Sequence, residues 1–137
     1  MILTSLLKTT QRSQVEIRSL LDTAMQPQLR SALETQLREY ESIEAEAFTI
    51  ALQRGWDLQE MDIVHRFLAD RMTRLKASGC NSDSGIAGLL IQMNTMGMIR
   101  GIQERNRIPE KDTRIRILSQ KLLDCENANI RQMQQYL

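Results

Sequence analysis

The chain has 137 residues and a formal net charge of +1; 42% of it is hydrophobic, 4% aromatic, with eight methionines and two prolines. That length predicts one domain, 1–137, whose apolar core needs neither a metal nor a disulfide to fold. The balanced charge gives no general attraction to DNA, RNA or an anionic membrane, and the composition fits helices packed through Leu, Ile, Met and Ala.

Apolar periodicity predicts five helices and no strand. The first covers about 4–24, with Leu3, Leu7, Ile17, Leu21 and Ala24 along one face and Thr10 and Gln14 interrupting it. Pro27 opens the second, which runs to about Arg54 before Gly55, on a stripe of Leu33, Leu37, Tyr40, Glu44, Ala47 and Ala51. Glu44 is the polar exception in that stripe. Asp57 with Glu60 forms a capping box for a third helix over about 58–77, whose apolar face is Met61, Val64, Leu68, Met72 and Leu75. Ser82 or Asp83 caps a fourth over about 83–105, with Ile86, Leu89, Leu90, Met93, Gly97 and Ile102 inward. Its Gly88, Gly97 and Gly101 allow a neighbour to approach closely. The fifth covers about 112–136, with Ile115, Leu118, Leu122, Cys125, Asn129 and Met133 in register. Here Asn129 is the polar exception.

The second and fifth helices echo each other at an offset of about 85, and this sets Glu44 against Asn129 and Glu41 against Glu126. The first and fourth echo similarly, with Thr10 against Gln92 and Gln14 against Met96. Two hairpins, about 4–54 and about 83–136, joined by a long connection carrying the 58–77 helix, make an all-α, up-down four-helix bundle that resembles the ferritin-like plan. Metal-bearing bundles of that plan use Glu-x-x-His pairs. Here those positions read Glu41-Ser42-Ile43-Glu44 and Glu126-Asn127-Ala128-Asn129, without histidine. Glu41, Glu44 and Glu126 are the candidate metal ligands at this centre, too few donors for oxygen chemistry. The expectation is therefore a buried polar layer of Gln14, Glu44, Gln92 and Asn129, satisfying one another or a trapped water, with no cofactor and no catalysis. Such a layer specifies helix pairing, since an unsatisfied buried polar group costs about 1 to 3 kcal/mol.

Leu7-Lys8, the Leu29-to-Leu33 opening, the Glu41-to-Ile50 stretch, Arg54-Gly55-Trp56 and the run from Leu122 to Arg131 resemble the ferritin-like proteins related to spore-coat protein F of spore-forming Gram-positive bacteria. Relatives of that group commonly follow the second helix with a Tyr- and Pro-containing turn, whereas Trp56-Asp57-Leu58 leads into another helix. The resemblance implies a non-catalytic bacterial structural protein, cytoplasmic or associated with the forming spore.

Other constellations are weaker. Asp62 and His65 sit one turn apart but form a single pair. Cys80 and Cys125 have no CxxC or Cys/His spacing, so reduced thiols in a cytoplasmic setting are expected. No nucleophile elbow or phosphate-binding glycine loop occurs. The apolar start, Met1 to Leu7, is short and lacks a basic leader, so neither a signal peptide nor a membrane span is predicted. The cluster Arg100, Arg105, Arg107, Lys111, Arg114 and Arg116 lacks aromatic interleaving and is offset by Glu104, Glu110 and Asp112, against nucleic-acid binding. Residues 30–62 hold eight acids and three bases, and 66–121 hold eleven bases and five acids. This asymmetry reads first as an ordinary solvated surface and second as an interface within or between subunits. A homodimer or other protein partner is expected through an exposed apolar or methionine-rich helix face. The competing reading is a metal-binding, di-metal oxidoreductase or storage protein using Glu41, Glu44 and Glu126.

Overall fold

A computed structural model describes residues 2–23, 25–57 and 82–137. Among these residues the chain forms four helices and no strand: α1 (Ile2–Leu21), α2 (Pro27–Gln53), α3 (Asp83–Arg107) and α4 (Thr113–Gln134). The expected helix over 58–77, Cys80, and the Asp62/His65 pair lie outside the described residues.

Local chemistry sets most helix ends. Pro27 occupies the first turn of α2, where a missing N–H costs nothing. At the other end Gly55 adopts φ 68°, its N–H bonds to Leu52 O at 3.2 Å, and Trp56 N–H reaches Ala51 O at 3.0 Å. This is the paired closure of a Schellman motif, and it explains why glycine is placed there. Trp56 then folds back onto the core, with the Arg54 guanidinium over its ring. Ser82 caps α3 by accepting from Gly85 N–H at 3.0 Å. Asp112 caps α4, accepting from Arg114 N–H at 3.0 Å and Ile115 N–H at 3.5 Å.

Each helix buries one face. On α2 the buried positions Leu29, Leu33, Gln36, Tyr40, Ile43, Ala47 and Ile50 alternate by four and three residues, the spacing that keeps one stripe turned toward a neighbouring helix. Leu3, Leu7, Ile17 and Leu20 on α1, Ile86 and Leu90 on α3, and Ile115, Leu118 and Met133 on α4 complete the core. Each fully buried Leu, Ile or Met contributes about 1.5 to 3 kcal/mol of transfer free energy.

α1 packs chiefly along α2 and α3 along α4, with narrower contacts of α4 on α2 and of α1 on α3 and α4. Polar ties fix their relative placement. Ser5 Oγ near the start of α1 donates to Glu104 Oε2 near the end of α3 at 2.7 Å. Gln26 N–H, before α2, reaches Asp83 Oδ1 at the start of α3 at 3.4 Å. Arg54, after α2, pairs with Asp112 Oδ2 before α4.

The inward faces differ in two places from the sequence reading. On α2 Ile43 takes the buried position, so Glu44, one residue on, is turned partly to solvent. On α3 Asn94 is inward and Gln92 exposed, because the buried set Ala87, Leu90, Asn94 and Gly97 is spaced three and four residues apart. Adjacent helical residues point about 100° apart, so the one-residue shift from Ile43 to Glu44 and the two-residue shift from Asn94 to Gln92 each move a side chain from core to rim. The same slip affects the internal echo. Tyr40, Ile43 and Ala47 share burial with Glu126, Asn129 and Met133, each 86 positions further on, rather than about 85.

Candidate functional site

The middle of the helical assembly holds the polar layer, centred on Tyr40, whose side chain is 1% exposed. Its hydroxyl donates to Asn94 Oδ1 at 2.8 Å and accepts from Asn129 Nδ2 at 3.2 Å, joining α2, α3 and α4. Ser13 of α1 adds a hydrogen bond to the same phenol. Burial, followed by the neighbouring Glu126 and Cys125, pushes the phenol well above its ordinary range, so it remains a neutral hydrogen-bonding hub. One turn away, Gln36 Nε2 donates to Gln132 Oε1 at 2.9 Å.

Of the four residues expected in this layer, Gln14 and Asn129 are buried, Glu44 is half-buried and Gln92 is exposed. Gln14 does not join the Tyr40 cluster: its Oε1 accepts from Arg18 at 3.1 Å, and its buried Nε2 has no partner among the described residues. Tyr40 and Asn94 take the places assigned to Glu44 and Gln92. The signal for Asn94 was its spacing from Leu90, Gly97 and Gly101, which marks the side of α3 that neighbours approach.

The candidate metal ligands do not converge. Glu41 is exposed and pairs with Arg18 at 3.0 Å. Glu126 is 1% exposed, and its carboxylate lies against Gly97 on α3. Among the described residues no group of three or more His, Cys, Asp or Glu side chains is arranged to hold a metal ion. Cys125 is also unsuited to nucleophilic work. Burial, and then the Glu39 carboxylate to which its thiol donates at 3.0 Å, raise its pKa far above the ordinary thiol range.

Glu126 is the most perturbed carboxyl in the layer. Burial raises it from 4.5 to about 8, with Glu16 adding repulsion and Arg100 opposing it, and among the described residues its Oε2 has no hydrogen-bond partner. A Cβ at position 97 would collide with Glu126 Oε1 and come within 3.0 Å of its Cδ, so glycine there makes room for the carboxyl. At Gly101 the same addition would come 2.9 Å from Leu123 Cδ2. These two glycines are the close approaches expected of α3, whereas Gly88 meets only an ordinary 3.8 Å contact with Leu137. Glu126 forms part of the wall of a cleft of about 540 Å³ between α1, α3 and α4.

Three of the six residues of the basic cluster are engaged within the chain. Arg105 donates to Gln120 Oε1 at 3.0 Å, Arg114 donates to Gln53, and Arg116 donates to Thr113 at 3.3 Å. Among the described residues no helix is long and apolar enough to cross a membrane. Comparison with protein-family models, with curated proteins and with solved structures gave no match.

Proposed function

We propose that the chain is a non-catalytic structural or protein-interaction protein on the ferritin-like plan, with two helical hairpins joined by a crossover that carries its own helix. The observation that carries this reading is the self-contained centre. Tyr40, Asn94 and Asn129 satisfy one another where a metal-bearing bundle would aim its ligands, and Glu41 and Glu126 belong to different surroundings. The ties from Gln26 to Asp83 and from Ser5 to Glu104 agree with the helix directions that such a crossover requires. The spore-coat association and the cytoplasmic setting rest on the sequence resemblance and on the isolated cysteines.

A second copy of the chain is the partner this reading favours. Glu34, Glu39 and Glu41 are exposed on α2, while Arg100, Arg105 and Arg107 are exposed toward the end of α3, beside the outward Met96 and Ile99. Opposite charges of this kind attract at low ionic strength and are screened by salt.

Light scattering across a salt series tests the proposal: a dimer mass at low salt should fall toward the monomer as salt rises. A monomer under every condition refutes the self-interaction. Calorimetric titration with Fe(II), Mn(II) and Zn(II) tests the non-catalytic half. Saturable binding tighter than about millimolar, abolished by Glu44→Gln, would replace this reading with the metal-binding one based on Glu41, Glu44 and Glu126.

A further inference from the structure

We propose that the cleft between α1, α3 and α4 binds a small amphiphilic anion, a carboxylate on a short alkyl chain, with its head at Arg12, Arg100 and Glu126 and its tail against Ile2, Leu6 and Leu123. This goes beyond the scaffold reading and does not depend on it. The cleft, at about 540 Å³, has the size of a small-molecule site, for which about 300 to 1,000 Å³ is usual. Its walls combine apolar side chains with four cations, Lys8, Arg12, Arg100 and Arg107, against two carboxyls, Glu104 and Glu126.

Two polar atoms on this wall, Arg12 Nε and Glu126 Oε2, are buried with no hydrogen-bond partner among the described residues. Each such atom costs about 1 to 3 kcal/mol, a cost that a ligand bonding to it would remove. What they accept fixes the ligand chemistry. The guanidinium only donates, and a carboxyl that keeps its proton up to about pH 8 presents an O–H rather than a negative charge. Both therefore call for an acceptor, and the surrounding cations call for a negative one. Serine and threonine hydroxyls at Thr9 and Ser119 add further polar groups to the same wall.

The protonation of Glu126 is governed by every element around it. Glu16 on α1 and the burial itself favour the proton, while Arg100 on α3 opposes it. Arg12 on α1 and Glu104 on α3 share its cleft. Tyr40 on α2 and the adjacent Cys125 are themselves held neutral. Ionisation of Glu126 would place a negative charge beside the bound anion.

Isothermal titration of the full chain with decanoate tests the site, with decanol and decyltrimethylammonium as neutral and cationic counterparts. At about pH 6 decanoate should bind saturably with one site per chain, and both counterparts should bind at least about tenfold more weakly. Arg12→Gln and Arg100→Gln should each weaken decanoate about tenfold, whereas Arg38→Gln, on the exposed side of α2, should leave it unchanged. Raising the pH to about 9 should weaken binding by a similar factor as Glu126 ionises. Arg100 is exposed, so its variant tests the site even if Arg12→Gln fails to fold. Absence of decanoate binding tighter than millimolar, equal binding of decanol, tighter binding of the ammonium, or unchanged affinity in Arg100→Gln would overturn the proposal. Arg100 also lies on the face offered to a second copy, so light scattering of Arg100→Gln reads self-association separately, and Arg12→Gln tests the cleft away from that face.

Discussion

Replacing Glu126 with glutamine should flatten the dependence of stability on pH. In the folded chain the carboxyl holds its proton up to about pH 8, whereas its ordinary value is 4.5. Between those values the unfolded chain has released a proton that the native chain retains. The group therefore stabilises the fold fully below about pH 4.5, and that contribution declines through the interval until it is lost above about pH 8. At about 1.4 kcal/mol per pH unit, the interval sets a ceiling of roughly 4 to 5 kcal/mol. Glu126 lines an open cleft, and water entering beside an ionised carboxylate should reduce the loss to about 2 to 4 kcal/mol. Glutamine preserves the shape of the side chain and has no proton to lose. Urea unfolding of the wild type and of Glu126→Gln, followed by circular dichroism from about pH 5 to about pH 9, isolates this group because other titrations are shared by both proteins. The two stabilities should lie close together at the acid end, with the glutamine variant ahead by about 2 to 4 kcal/mol at the alkaline end. Parallel curves over the whole range would refute the assignment of Glu126 as a carboxyl held neutral by burial.

Tyr40→Phe removes the hydroxyl that bridges Asn94 and Asn129, and should cost about 1 to 3 kcal/mol in urea unfolding because two buried amides lose a partner. Gly97→Ala meets the flexible end of the Glu126 side chain, which must swing aside, so the helix preference of alanine should be cancelled and the net destabilisation should be no more than about 1 kcal/mol. In a Glu126→Ala background the same change should instead stabilise by up to about 1 kcal/mol, the helix preference of alanine over glycine. A double-mutant cycle measures that coupling, and additive effects would exclude the contact. Asp112→Ala should lower the midpoint of thermal unfolding at neutral pH, since it removes the cap of α4 and the Arg54 ion pair. The Arg54 hydrogen bond, and to a lesser degree the two backbone N–H groups, hold the Asp112 carboxyl below its ordinary value. The difference between wild type and variant should therefore shrink as pH falls through that lowered value.

The limits of the four described helices were legible where periodicity was reinforced by caps. Pro27, Gly55, Ser82 and Asp112 each mark an end by chemistry that a single residue carries. The described helices end within about three residues of their expected limits, the usual scatter at frayed termini. The polar centre was harder to read, since Glu44 and Gln92 were placed inward when Ile43 and Asn94 hold those positions. A stripe fitted to long helices leaves an error of one or two residues almost free in sequence terms, yet in space it exchanges core for solvent. The role of Tyr40 was hidden for another reason. Its ring satisfied the apolar pattern, and nothing along the chain showed that its hydroxyl would meet amides from two other helices. Glu126 was identified only as a ligand remnant. Its burial against Gly97 depends on the closeness of α3 to α4, which the glycine spacing suggested and the packing supplied.

The Tyr40 cluster joins parts of the chain that lie far apart in sequence. α1 and α2 are separated by only a few residues, as are α3 and α4, so each pair closes a short loop at small entropic cost. Tyr40 lies on the first pair, and Asn94 and Asn129 on the second. The hydrogen bonds among them therefore form the seam along which the halves dock. A half that docks one turn out of step strands three polar groups in oil, and the same stitches are the ones that must tear before the halves separate.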